Sequence, residues 1–220
     1  SSPEGLAFAP VDLPHDWLIY DTLNLYENST GWYRKRFVAP KARQVLLCFD
    51  GVYMDSTVYL NQQLVGEWKY GYSSFEHEIT GALREGENEI LVKVVHQSPN
   101  SRWYSGAGIY RNVWLKIRGE NYIETHGVYI STRKEEEGKN RWVVEVDTDP
   151  RLCEEGELVH RLLDGDREIA VTGSVVTGKD TGRSNRQRLF VEDPGLWSPE
   201  NPRLYELVTE LYIVTRDEAG

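Results

Sequence analysis

Residues 101–115 read "SRWYSGAGIYRNVWL", which sets Arg102, Trp103 and Tyr104 immediately before Gly106 and Gly108. A guanidinium beside two aromatic rings is equipment for binding, and it carries no nucleophile and no acid/base pair. Gly106 and Gly108 allow positive φ or close backbone approach, so the chain is expected to bend here and not to pair regularly. Taken alone, Trp103 and Tyr104 read as plugs for the end of a core. On a rigid scaffold the same loop reads as a display of binding side chains.

The elements that must position this loop are strands. After Ile109, Val113, Leu115 and Ile117 alternate with Trp114, Lys116 and Arg118, the period of two of a strand with unlike faces. Val45, Leu47 and Phe49 form another alternating run that ends at Asp50-Gly51, and Val58 and Leu60 lead through Asn61-Gln62-Gln63 into Leu64-Val65 as a hairpin. Gln62 stands where glycine would be easier, which predicts a longer or strained turn. Thr80 is expected to cap one helical turn through Leu83, closed at Gly86. Ile90 to Val95 is broken only by Lys93 and suits a strand covered on both faces.

After Gly119 the texture changes. Val128 and Ile130, Trp142 to Val146, Leu158 to Leu163, Ile169 to Val171, Arg188 to Val191 and Leu207 to Ile213 are strand candidates. About seven short strands in this half suggest an immunoglobulin-like sandwich. The glutamate run at 135–137 is expected at a solvated hairpin tip, and "TGKDTGRSN" at 177–185 reads as loop. The predicted organisation is a jelly-roll-type sandwich over 1–119 and an immunoglobulin-like β-sandwich over 120–220, an all-β chain.

Composition narrows the function. The net charge of −10 divides unevenly, with 12 Lys/Arg against 13 Asp/Glu in residues 1–119 and 13 against 22 in residues 120–220. Nucleic acid is a poor partner for such a chain, because its affinity rests on basic residues that neutralise phosphates. No apolar run approaches the roughly 20 residues of a membrane-spanning helix, and no signal peptide opens at Ser1, so no membrane partner is expected. Cys48 and Cys153 read as buried free thiols and slightly favour the cytoplasm. The five histidines show no zinc spacing, so neither a transition metal nor a cofactor is expected. Of the 25 aromatic residues, 18 lie in residues 1–119, which places a site for a flat, partly apolar ligand there.

Together, "LPHDW" at 13–17, "GWYRKRF" at 31–37, "FDGVYMDSTVYLNQQLVGEWKYGYSSFEHEIT" at 49–80, "REGENEILVKV" at 84–94, "SRWYSGAGIYRNVWL" and "LWSPENPRLYELVTEL" at 196–211 resemble the N-terminal part of family 2 glycoside hydrolases. That family holds β-galactosidases, β-glucuronidases and β-mannosidases, and the 101–115 run is most similar to the first. The resemblance implies a galactose-binding-like jelly roll, then an immunoglobulin-like domain. A catalytic (β/α)₈ barrel would follow beyond this chain and carry the acid/base and nucleophile glutamates. Asn88-Glu89 mimics the acid/base dipeptide but sits in a turn entering a strand, so no catalytic residue is expected here.

The resemblance further implies that the 101–106 loop walls a sugar subsite. Arg102 would offer its fork to sugar hydroxyls or to a barrel carboxylate, and Trp103 an apolar platform. Asp16 is a third substrate-binding candidate, although its carboxylate is read first as a partner for local backbone amides. Arg34 and Arg36 alternate with Lys35 and form no single basic face. Tyr70 and Tyr72 read as a loop packed by its own aromatics. The expected partners are a β-galactoside and the protein's own barrel. The alternatives are a free-standing carbohydrate-binding module, a β-glucuronidase or β-mannosidase, and a surface for contacts within a homo-oligomer.

Overall fold

The computed structural model describes residues 3–100, 102–135, 140–180 and 182–213. It is an all-β chain in two compact units, Ser1–Arg118 and Gly119–Gly220. The first holds β1 (Ser29–Val38), β2 (Gln44–Phe49), β3 (Ser56–Leu60), β4 (Gln63–Trp68), β5 (Phe75–Glu78), β6 (Glu87–His96) and β7 (Val113–Arg118). They form two antiparallel sheets, β1-β6-β3-β4 and β5-β2-β7. Val45, Leu47 and Phe49 of β2, Val58 and Leu60 of β3, and Ile90, Val92 and Val94 of β6 make one core. This is the jelly-roll sandwich that the alternation implies.

Strand β6 departs from the expected double coverage. Asn88, Ile90, Val92, Val94 and His96 are buried, while Leu91, Lys93 and Val95 are half-covered. The reason is that a second sheet lies on one face only. Neighbouring strands shelter the other with side chains such as Trp32 and Tyr59, whose centroids lie 6.2 Å apart. Strand β7 departs too, because Leu115 and Ile117 remain exposed at a sheet edge while Arg118 is buried and donates to Gln44 Oε1 at 3.1 Å. Thr80 caps no α-helical turn. Residues Thr80–Ala82 form a 3₁₀ turn without a side-chain cap, and Thr80 Oγ1 instead accepts from the Val45 amide at 2.9 Å.

The β3–β4 hairpin closes on a two-residue turn with Asn61 at φ 52 and Gln62 at φ 71. Asn61 is fastened there, donating to Ala82 O and Asn88 Oδ1 at 2.8 Å each and accepting from the Glu89 amide at 3.1 Å. Gln62 has no such bond among the described residues, so the strained reading of this turn holds.

The second unit holds β8 (Tyr122–Lys134), β9 (Arg141–Arg151), β10 (Gly156–Asp164), β11 (Arg167–Val176), β12 (Asn185–Glu192) and β13 (Glu206–Ile213). That is six strands among the described residues, not seven, in the sheets β12-β9-β8 and β11-β10-β13 of an immunoglobulin-like sandwich. Val144, Val146, Leu162 and Leu189 form one core cluster and Leu152, Leu158 and Val176 another. Buried His160 contacts Thr148 Oγ1 at 3.3 Å and Thr209 Oγ1 at 3.0 Å, and its burial lowers the ring's pKa. Of the glutamate run, only Glu135 lies within the described residues; Glu136 and Glu137 lie outside them. The 177–185 loop contains one 3₁₀ turn, Gly178–Asp180.

Both cysteines are free thiols, but neither is buried: Cys48 is half-buried and Cys153 exposed. Leu152 takes the interior position at the end of β9, which turns the next side chain outward.

The strain at Gln62 yields a prediction. Gln62→Gly should stabilise the chain by about 1 kcal/mol, because a left-handed backbone costs a side-chain-bearing residue roughly 1–2 kcal/mol and glycine returns part of that gain as entropy. An unchanged or lower urea midpoint would show that the turn is not strained.

Candidate functional site

The connection from β6 to β7 is an exposed loop on an anchored base. Its near end is held where Tyr53 Oη donates to Asn100 Oδ1 at 2.8 Å, while Asn100 Nδ2 donates to Gln97 O at 2.7 Å. Its far end forms a short ladder with the segment before β1: the His15 amide donates to Ile109 O at 2.8 Å and the Trp17 amide to Ala107 O at 2.9 Å. On the other side, Gly108 and Tyr53 exchange both backbone bonds at 2.9 Å. Both glycines are required. Gly108 lies at φ +134, where a Cβ would meet Tyr33 Oη and, at 2.6 Å, His15 O, and a Cβ at Gly106 would run into the Asp16 carboxylate.

Asp16 joins these pieces. Its Oδ1 accepts from the Leu18 amide at 2.9 Å and from the Ala107 amide at 3.0 Å. Local backbone and the loop base therefore share one oxygen. Beside it, Tyr33 Oη accepts from the Ile109 amide at 3.3 Å and lies 2.8 Å from His15 Nδ1. Burial raises the Tyr33 phenol to about 12, with a smaller push from the Asp16 charge, against a pull from the Ile109 amide. Tyr33 is thus a neutral phenol under the loop at any ordinary pH.

Upon this base the loop presents its side chains to solvent. Arg102 is exposed, and Trp103 and Tyr104 are 65% and 55% exposed. The reading of these two rings as core plugs is overturned, because most of each ring is exposed while the buried places around the loop base belong to Tyr53, Ala107 and Ile109. Ser101 lies outside the described residues. The neighbouring turn adds Tyr70 and Tyr72, whose rings meet edge-on at 5.8 Å, and Tyr72 also meets Tyr53 at 5.2 Å. Tyr72 Oη stands 3.5 Å from Ser105 Oγ, and Tyr110 Oη donates to Gly71 O at 2.7 Å. Arg102, Trp103 and Tyr104 therefore share one lip with an aromatic turn, while Asp16 sits at its base.

Sequence reasoning did not single out His15, Tyr33, Tyr53 or Tyr110. All four lie inside the stretches that carry the family resemblance, and for Tyr33 a hydroxyl-bearing ring within the β1 strand was the available signal. The remaining candidates are occupied otherwise. Arg36 Nε bonds Glu89 at 3.0 Å, and the Arg34 guanidinium lies 4.1 Å from the Phe8 ring centroid. Asn88 is fully buried and closes the turn before β6 by bonding Arg84 and Gly86.

The family description "Glycosyl hydrolases family 2, sugar binding domain" matches residues 10–118, and "Glycosyl hydrolases family 2" matches residues 121–218. This chain belongs to glycosyl hydrolase family 2. Among curated family relatives, a β-galactosidase of Bacteroides ovatus is 37% identical over 91% of this chain and 26% of its own length. A β-glucuronidase of Bacteroides fragilis is 28% identical over 92% of this chain and 32% of its own. A solved family 2 structure from Bacteroides cellulosilyticus superposes with a TM-score of 0.78 at 32% identity, covering 94% of this chain and 30% of that one. The chain thus spans about a third or less of each of these proteins.

For this family 2 chain the anchoring of the loop is open to measurement. Asp16→Ala strands the Leu18 and Ala107 amides and should cost on the order of 2–3 kcal/mol. It should also hasten tryptic cleavage after Arg102. Asp16→Asn keeps a carbonyl acceptor and should cost less. Equal unfolding midpoints and cleavage rates in all three proteins would remove Asp16 from the loop's support.

Proposed function

We propose that the protein carrying this chain is a retaining glycoside hydrolase that releases terminal β-galactosyl units. In this reading residues 1–220 perform no chemistry, shape one wall of the sugar subsite and support the catalytic barrel. Membership of family 2 supports the hydrolase, and the β-galactosidase relatives support the sugar. The observation that carries the reading is the exposed Arg102 and Trp103 on an anchored base. A loop so held keeps a guanidinium fork and an indole face in register with a substrate at little entropic cost on binding. Retention requires two carboxyls about 5–5.5 Å apart across the scissile bond, and this reading assigns them to the barrel.

A second reading is a β-glucuronidase, favoured by the exposed cation of Arg102, which suits the carboxylate of a uronic acid. Assay of the full-length protein on nitrophenyl galactoside, glucuronide and mannoside separates the two. Failure to cleave the galactoside removes the first.

In the full-length enzyme Arg102→Ala should lower kcat/KM for the galactoside roughly tenfold, about 1.4 kcal/mol, without shifting the melting temperature. Unchanged turnover would make Arg102 a bystander.

Residues 1–220 alone should hydrolyse nothing. They should bind galactose or lactose no more tightly than about millimolar, on the order of 4 kcal/mol, because effective sites enclose ~70–90% of a ligand and this lip offers one side. Micromolar monosaccharide binding by calorimetry that Arg102→Ala abolishes would contradict the shared site.

A further inference from the structure

The outer face of the β1-β6-β3-β4 sheet carries a second candidate for carbohydrate. Arg34 of β1 and Tyr59 of β3 both stand opposite Leu91 of β6, in one row across three strands. Trp32 and Glu89 lie two residues along the same strands, on the same face. This face points away from the core made by Ile90, Val92, Val58 and Leu60. Together with Gln62 these side chains line a cavity of about 520 Å³, walled on its far side by residues 3–6 and Phe8.

Three observations point to a ligand. The first is the Trp32–Tyr59 pair, two half-buried rings inclined by 28° that form an apolar wall inside a polar rim. Such an amphipathic wall suits the C–H face of a pyranose. The second is that Arg34 and Gln62 have no hydrogen-bond partner among the described residues, although both line the cavity. Among the described residues, Arg34 is held in place by stacking over Phe8. The third is backbone strain. Gln62 occupies φ 71 in a two-residue turn where glycine would be relaxed, and its amide is the side chain this turn brings to the cavity. A strained, unpartnered polar residue at a cavity is a reason to look for function there. Glu4 and Glu89 on the lining are matched by Arg34 and by Arg36, whose Nε bonds Glu89 at 3.0 Å, so the surroundings favour a neutral ligand over an anionic one.

We propose that this cavity binds a neutral hexopyranose oligosaccharide, with one ring against Trp32 and Tyr59 and hydroxyls bonded by Arg34 and Gln62. The site shares no residue with the Arg102 loop. It requires neither hydrolysis nor Arg102, so its failure and that of the galactosidase reading are separately visible.

The test is calorimetric titration of the 220-residue chain with β-1,4-galactotetraose, with cellotetraose and mannotetraose as the same chemistry from other glycans and a galacturonate tetramer as anionic control. We expect saturable binding of at least one neutral oligomer, weakened about tenfold or more in Trp32→Ala. Gln62→Gly should weaken it about fivefold while leaving the chain folded and more stable, which guards against a Trp32 variant that fails to fold. Arg102→Ala should leave it unchanged. Absence of binding to every neutral oligomer, stronger binding of the galacturonate, or binding that survives both Trp32→Ala and Gln62→Gly would each overturn the site.

Discussion

The loop that displays Arg102 and Trp103 is tied at its base by one carboxylate oxygen shared between two distant segments. A loop of exposed, bulky residues has no core of its own, so its shape must come from its ends. Asp16 Oδ1 supplies that by accepting at once from Leu18 and from Ala107, 91 residues later in the chain. The ladder between His15–Trp17 and Ala107–Ile109 and the exchange between Gly108 and Tyr53 continue the same constraint. Buried without water, such backbone groups must find partners, and here three distant segments satisfy one another. The glycines follow from this crowding, since a Cβ at Gly106 would occupy the place of the Asp16 carboxylate.

Polar groups on the two faces of the first sheet obey opposite rules. Inside, Asn88 and Asn61 bond each other and the backbone around the β3–β4 turn, so their burial carries a compensating network. Outside, Arg34 and Gln62 stand beside aromatic rings with no such network, and one of them sits on an unfavourable backbone. Groups that leave water without forming internal bonds are costly, whereas half-exposed groups can remain available to a ligand. Alternate residues of the same strands thus make the core on one side and line the cavity on the other.

Much of the fold was legible because strand alternation is local. Val45, Leu47 and Phe49, or Val144 and Val146, announce their inward face in the sequence and are found there. The misreadings arose where burial is decided by distant neighbours. Leu115 and Ile117 alternate correctly yet face solvent, because β7 is an edge. Thr80 has the chemistry of a helix cap but meets the Val45 amide instead. Cys153 is an apolar residue next to an apolar residue, and only the interior seat taken by Leu152 turns it outward.

For the site, the motif containing Arg102, Trp103, Gly106 and Gly108 was visible from residue types, and so was the choice between plug and display. The sequence by itself determined an all-β chain of two sandwiches, the family likeness, and a bent, arginine-bearing loop, because hydrophobic period and glycine's backbone freedom are properties of short stretches. Only the tertiary structure decided that Trp103 and Tyr104 face solvent, that Asp16 lies beneath them as an anchor, and that Trp32, Tyr59 and Gln62 border one cavity. Those outcomes depend on which strands become neighbours. Sheet pairing joins residues tens of positions apart, and no local pattern records that distance.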